Sequence, residues 1–181
     1  MLTRRAFTAA LSLTGLAALA GLSPLRLVSQ AMAVSAAEVT RPQPLPDMAL
    51  GAADAKVTIV EYAAPTCPHC ATFNKDVFPR LKSEFINTGK VRYMFRQQDR
   101  LVEKTSDTLR LIGRQAGLST QAVEDCLKDQ AMQDKISAGQ KYAEDVLKVE
   151  GTPTFFINGQ VIVGEASFEE FDKRIKSLLK T

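Results

Sequence analysis

The sequence predicts an α/β fold: a strand–helix–strand unit, then a helical insertion, then a β-hairpin and a last helix. Three observations carry this. Residues 57–62 (Val-Thr-Ile-Val-Glu-Tyr) are rich in β-branched side chains and read as a buried strand. Phe73, Val77, Leu81 and Phe85 then recur at helical spacing. Asn158-Gly159 divides two apolar runs, 153–157 and 160–163, which is the strongest short-range hairpin signal a sequence offers.

The remaining elements fall between and around these. Residues 37–46 are polar and proline-rich and read as an extended tether without a core of its own. Pro79 sits inside the first helical pattern and is expected to kink or interrupt it. Thr88-Gly89-Lys90 is a stop, and residues 91–96 (Val-Arg-Tyr-Met-Phe-Arg) read as a second strand. Joined by a helix, the two strands should run parallel with a right-handed crossover. Ser106 is the expected cap of a helix carrying Leu109, Ile112 and Ala116 and ending at Gly117. Ser119 caps another, with Ala122, Val123, Cys126 and Leu127 on one face, and Met132, Ile136, Ala143, Val146 and Leu147 suggest a third. Ser167 and Glu170 form a capping box before a stripe of Phe168, Phe171, Ile175, Leu178 and Leu179. The expected organisation is therefore a leader over 1–33, a tether over 34–48, and a domain over 49–181 with a helical insert at about 97–150.

The net charge of +3 misleads. Arg4, Arg5 and Arg26 lie in the first 33 residues, which hold no acid. The rest of the chain carries 20 basic against 20 acidic residues. A nucleic-acid surface has no compositional support. The leader alone is cationic, and its parts are those of an export signal. Arg4-Arg5 is followed by an apolar stretch over 9–22 and by Ala31-Met32-Ala33 at cleavage-type spacing. Thr3-Arg4-Arg5-Ala6-Phe7 is similar to the twin-arginine consensus, with an ordinary secretory signal and a permanent membrane anchor as the competing readings. Export would place the mature chain, from near Val34, in a compartment that permits disulfides: the periplasm.

Three cysteines are an odd count and imply no disulfide scaffold. Cys67-Pro68-His69-Cys70 stands where the first strand turns into the first helix. The first sulfur would sit exposed at a helix start, and two thiols so spaced can close a disulfide with little strain, which makes the pair a redox centre. The competing readings are a structural pair or half a zinc site. A closed zinc site needs four ligands, and only His69 and Cys126 remain, neither at ligand spacing. Cys126, on an apolar helical face, reads by default as a buried inert thiol.

Glu61 and Tyr62 with their strand, the CPHC motif, Gly151-Thr152-Pro153, the run 154–159 and Gly164 together resemble the thioredoxin superfamily. More narrowly they are similar to the DsbA-like bacterial thiol:disulfide oxidoreductases. The likeness covers most of 50–179. It implies a thioredoxin-like fold with a helical insertion between a βαβ half and a C-terminal ββα half. It also implies a mixed disulfide between Cys67 and a client protein, with Cys70, buried deeper, as the resolving thiol. The helix dipole, free backbone N–H groups and His69 would favour the Cys67 thiolate, so that the disulfide form is a strong oxidant. Pro68 suits the first helical position. Pro153 resembles the family's cis-proline, and Thr152 the residue that touches the substrate peptide through its backbone. Glu61 matches the family's buried acid, a candidate proton relay to Cys70, against a plain surface carboxylate. No prosthetic group is implied.

The implied partners are reduced or unfolded exported clients and a membrane partner for re-oxidation, with no nucleic acid and the chain a monomer. Thr152 also fits isomerase or reductase members. A copper-handling or chaperone module without turnover is the reading from another class. One departure stands out: Arg96 runs straight into Gln97-Gln98, as though several helical turns had been removed between Phe95 and Gln98.

Overall fold

The computed structural model describes residues 34–98 and 103–180. The expected export signal over 1–33 and the start of the insert at 99–102 lie outside them. A five-stranded sheet organises the rest, in the order β1-β3-β2-β4-β5. Its strands are β1 Met48–Leu50, β2 Val57–Ala63, β3 Val91–Gln97, β4 Thr154–Ile157 and β5 Gln160–Val163. The central β2 pairs parallel with β3 and antiparallel with β4, which sets Glu61 between Phe95 and Phe155.

Alternation along β2 divides the core. Ile59 faces a cluster with Tyr93, Phe155 and Ile157 on the sheet, covered by Phe73, Leu81, Phe171 and Ile175. The covering residues come from α2 (Pro68–Asp76), α3 (Phe78–Leu81) and the last helix, α7 (Phe168–Lys180). Phe155 lies 4.6 Å from Phe73 and 5.0 Å from Phe171 between ring centroids, in the tilted and edge-on arrangements aromatic quadrupoles favour. Val60 and Tyr62 face the other way, onto Val39, Met94, Ala143, Leu147 and Phe156.

Pro79 interrupts its helix as expected. α2 stops at Asp76, α3 restarts at Phe78, and a π-turn over Lys82–Ile86 follows, closed by Asn87 N–H donating to Lys82 O at 2.8 Å. At the hairpin, Asn158 and Gly159 have φ of 45° and 87°, the left-handed pair a type I′ turn requires. A Cβ on Gly159 would stand 2.6 Å from Val34 O, so only glycine admits this approach.

Three helices make up the described insert between the two halves: α4 Glu103–Gln115, α5 Thr120–Lys128 and α6 Gln130–Asp145. Ser119 caps α5, its Oγ accepting from Ala122 N–H at 3.1 Å. Ser106 is not a cap: α4 has already begun at Glu103. Gly113 of α4 lies so near Val123 that a Cβ there would meet Cγ2 at 2.5 Å, and this contact seats α5 on α4. Cys126 is exposed, which corrects the buried-thiol expectation. Of the apolar stripe on α5, Val123 is buried and Leu127 half-buried, while Ala122 and Cys126 are exposed.

The 34–48 stretch also departs from expectation. It is not a free tether. Residues Ala36–Val39 form a helical turn (α1) closed by a Ser35/Glu38 capping box, and Val39 is buried. Arg96 holds the segment down. Its guanidinium pairs with both oxygens of Asp47 (2.7 and 3.1 Å) and donates to the carbonyls of Val39 (2.7 Å) and Arg41 (3.1 Å) and to Tyr62 Oη (3.0 Å). A buried guanidinium needs acceptors for its fork of donors, and this segment supplies most of them.

Candidate active site

β2 ends at Ala63, and Cys67 N–H donates to Ala64 O at 3.1 Å, closing the turn into α2. Cys67 is the N-cap, with extended φ and ψ of −84° and 117°. Pro68 occupies the first turn, where its missing N–H costs nothing. The Cys67 sulfur accepts from Cys70 N–H at 3.4 Å, in the place a capping oxygen would take. It is half-buried, whereas Cys70 is 4% exposed.

A second segment closes over the sulfurs. The Thr152–Pro153 peptide is cis, and the Cys67 thiol donates to Thr152 O at 3.2 Å. Gly164 N–H donates to Pro153 O at 2.8 Å, and Thr154 Oγ1 donates to Gly151 O at 2.7 Å, tying this loop to the hairpin.

Environment separates the two thiols. Partial burial opposes ionisation of Cys67. Hydrogen bonding from the Thr152 side chain, the Cys70 thiol and the N–H groups of Cys70 and His69 outweighs it and holds the pKa below the ordinary thiol value. Burial pushes Cys70 up to about 12. Cys67 is therefore the more easily ionised thiol of the pair, and Cys70 the one that keeps its proton.

His69 is exposed, its Nδ1 2.5 Å from Oε1 of Glu165 on the loop after β5. That hydrogen bond and charge raise the imidazole pKa against slight desolvation, and the Cys67 anion adds to the effect.

Glu61 is 1% exposed, on the sheet face that α2 covers. Its environment is thus a core, not a surface. Burial lifts its carboxyl from 4.5 to about 7, although the Tyr93 hydroxyl donates to Oε2 and pulls the other way. Oε1 has no hydrogen-bond partner among the described residues. Tyr93 is held well above its ordinary value, by burial first and then by Glu61.

All seven residues singled out in the sequence thus cluster around one end of β2, or lie in the core beneath it. Glu165 and Tyr93 were missed. No local pattern marks Glu165. Tyr93 was findable: it alternates onto the same face of β3 as Phe95, and parallel pairing brings it beside Ile59 and Glu61. Among the described residues no cluster of three or more His, Cys, Asp or Glu is arranged to hold a metal.

A dithiol capping a helix, facing a cis-proline loop on a βαβ–ββα sheet, defines a thioredoxin-fold dithiol protein. The family model described as thioredoxin matches residues 44–106 and 94–177. The chain belongs to the thioredoxin family. It is 30% identical over 148 residues to a Rickettsia bellii protein assigned as a protein-disulfide oxidoreductase, covering 62% of this chain and 57% of that one. It is 26% identical over 169 residues to disulfide bond formation protein D of Bacillus subtilis, covering 72% and 76%. The crystal structure of Wolbachia pipientis alpha-DsbA1 superposes with a TM-score of 0.69 at 24% identity, over 78% of this chain and 95% of that one. BdbD from Bacillus subtilis in its oxidised form gives 0.64 at 22%, over 75% and 94%. These last two establish the fold.

The chain spans little more than half the length of the Rickettsia protein. The 148 aligned positions take in 62% of this chain, about 112 of its 181 residues, so about 36 positions of that relative have no counterpart here. The two stretches matched by the family model overlap at 94–106, where the sequence reading places the shortening.

Proposed function

We propose that this chain is an exported protein dithiol oxidase. In the oxidised form, a client thiolate attacks the Cys67 sulfur of the Cys67–Cys70 disulfide. Cys70 leaves as a thiolate and takes a proton, with Glu61 as its donor. The client's second thiolate then attacks its own sulfur in the mixed disulfide and expels Cys67. The client has lost two electrons and gained a disulfide, and the pair is left as a dithiol. Attack by Cys70 on Cys67 resolves the mixed disulfide in the opposite direction.

The single observation that carries this reading is the Cys67 sulfur in the N-cap position, accepting from Cys70 N–H with its pKa held down. A stabilised thiolate is a good leaving group and stabilises the reduced pair, which makes the disulfide oxidising. His69 supports the same anion. Thr152 and Pro153 present the backbone against which a client segment would lie.

Export by the twin-arginine route, a periplasmic site of action, monomeric behaviour and re-oxidation by a membrane partner belong to the same proposal. They rest on the leader's residues and the resemblance. No described helix is long and apolar enough to cross a membrane. The test is oxidative refolding of a reduced, cysteine-containing protein. The full chain in its disulfide form is expected to accelerate it, and C67S to abolish the effect.

One observation favours a second reading. Thr152, the residue type that isomerase-like members share at this place, hydrogen-bonds toward both thiols. A redox titration separates the two: a potential near thioredoxin's, about −270 mV, would remove the oxidase reading.

A further inference from the structure

Glu61 is the one acid in the core of the sheet among the described residues, and its two oxygens are treated differently. Oε2 receives the Tyr93 hydroxyl, while Oε1 is buried and unpartnered among the described residues. An unsatisfied buried carboxylate oxygen is costly, and an oxygen kept in that state is free to take and give a proton. Tyr93 is itself fixed. It is 4% exposed, its strand is locked in parallel register with β2, and its ring packs 5.0 Å from Phe78. The titratable group in contact with this acid is Tyr93 from β3, and Cys70 from α2 acts in turn on Tyr93 through its charge. β4 contributes Phe155 and Ile157 to the same cluster, and α7 contributes Phe168, Phe171 and Ile175.

We propose that Tyr93 is a positioning residue for the exchange reaction: its hydroxyl anchors one Glu61 oxygen and leaves the other to carry the proton to and from Cys70. This rests on the relay role given to Glu61 above. The step balances without another reactant. When Cys70 leaves as thiolate, the Glu61 proton passes to it and the carboxylate remains, held by Tyr93. When Cys70 attacks, the proton returns.

The test uses the full chain and the mixed disulfide of Cys67 with glutathione, following its first-order resolution by Cys70 from acid to alkaline pH. E61Q is expected to remove one inflection from the pH–rate profile. Y93F removes a donor to the charged form, so that inflection should move up by about one to two pH units. The double variant should match E61Q, because Tyr93 acts only through Glu61. If E61Q leaves the profile unchanged, the relay itself is overturned. If E61Q removes the inflection but Y93F leaves it in place, or if Y93F slows the E61Q chain further, the Tyr93 role alone is overturned. Should Y93F fail to fold, the unsubstituted chain still decides. A downfield, exchange-protected Tyr93 hydroxyl proton that shifts as Glu61 titrates is expected, and its absence would overturn the proposal.

Discussion

His69 Nδ1 and Glu165 Oε1 lie 2.5 Å apart, joining the middle of the CPHC motif to the loop after the hairpin across 96 residues of chain. Both side chains are more than half exposed, so the pair adds little to stability and is weakened by salt. Its consequence is chemical: it keeps the imidazole cationic to higher pH beside the sulfur that must ionise.

The first prediction follows directly. His69 is the only histidine, so its ring protons give an unambiguous NMR titration. Its pKa is raised by the Glu165 hydrogen bond and charge. E165Q should therefore lower the midpoint toward the ordinary histidine value, and added salt should do the same in the unsubstituted chain. An unchanged midpoint in E165Q would mean that the pair does not persist in solution.

Glu61 predicts a dependence of stability on pH. Burial raises its carboxyl from 4.5 to about 7 in the folded chain. Between those values the folded state holds a proton that the unfolded state has released. This contribution is fully favourable below about pH 4.5, declines through the window and is lost above about pH 7. The expected loss is about 3 kcal/mol. Urea midpoints measured across this range should fall with rising pH, and E61Q should flatten the fall. Equal slopes in the two chains would place the carboxyl in water.

Much of the site was legible because its signals are local. Cys67, Pro68, His69 and Cys70 are contiguous, and Thr152-Pro153 directly precedes a hairpin that Asn158-Gly159 announces by itself. The missed partners are contacts made by tertiary placement. Glu165 reaches His69 only because the β5–α7 loop folds back over the start of α2. Cys126 shows the converse failure. Helical periodicity says which face is apolar, not how far it is covered: on α5 Val123 is buried against Gly113, whereas Cys126 is exposed. The 34–48 stretch looked like a linker because proline-rich composition says nothing of a buried guanidinium waiting on a neighbouring strand.

That guanidinium gives the next prediction. D47A removes the carboxylate from Arg96, whose side chain is 6% exposed, while the Val39, Arg41 and Tyr62 oxygens remain. Breaking a buried pair costs about 3–5 kcal/mol, and the surviving acceptors should reduce this to about 2–3 kcal/mol. Chemical denaturation measures the loss, and limited proteolysis should show earlier cutting within 34–47. Unaltered stability would mean that the segment is not held by Arg96.

The direction of catalysis depends on Cys67 ionising more readily than an ordinary thiol while Cys70 does not. Thiolate absorbance of the reduced chain, taken as a difference from the oxidised chain, isolates this pair from Cys126. A first ionisation clearly below the free-cysteine value of about 8.5 is expected. A first ionisation at or above it would leave the disulfide form with no preference for giving itself away, and would contradict the oxidase assignment.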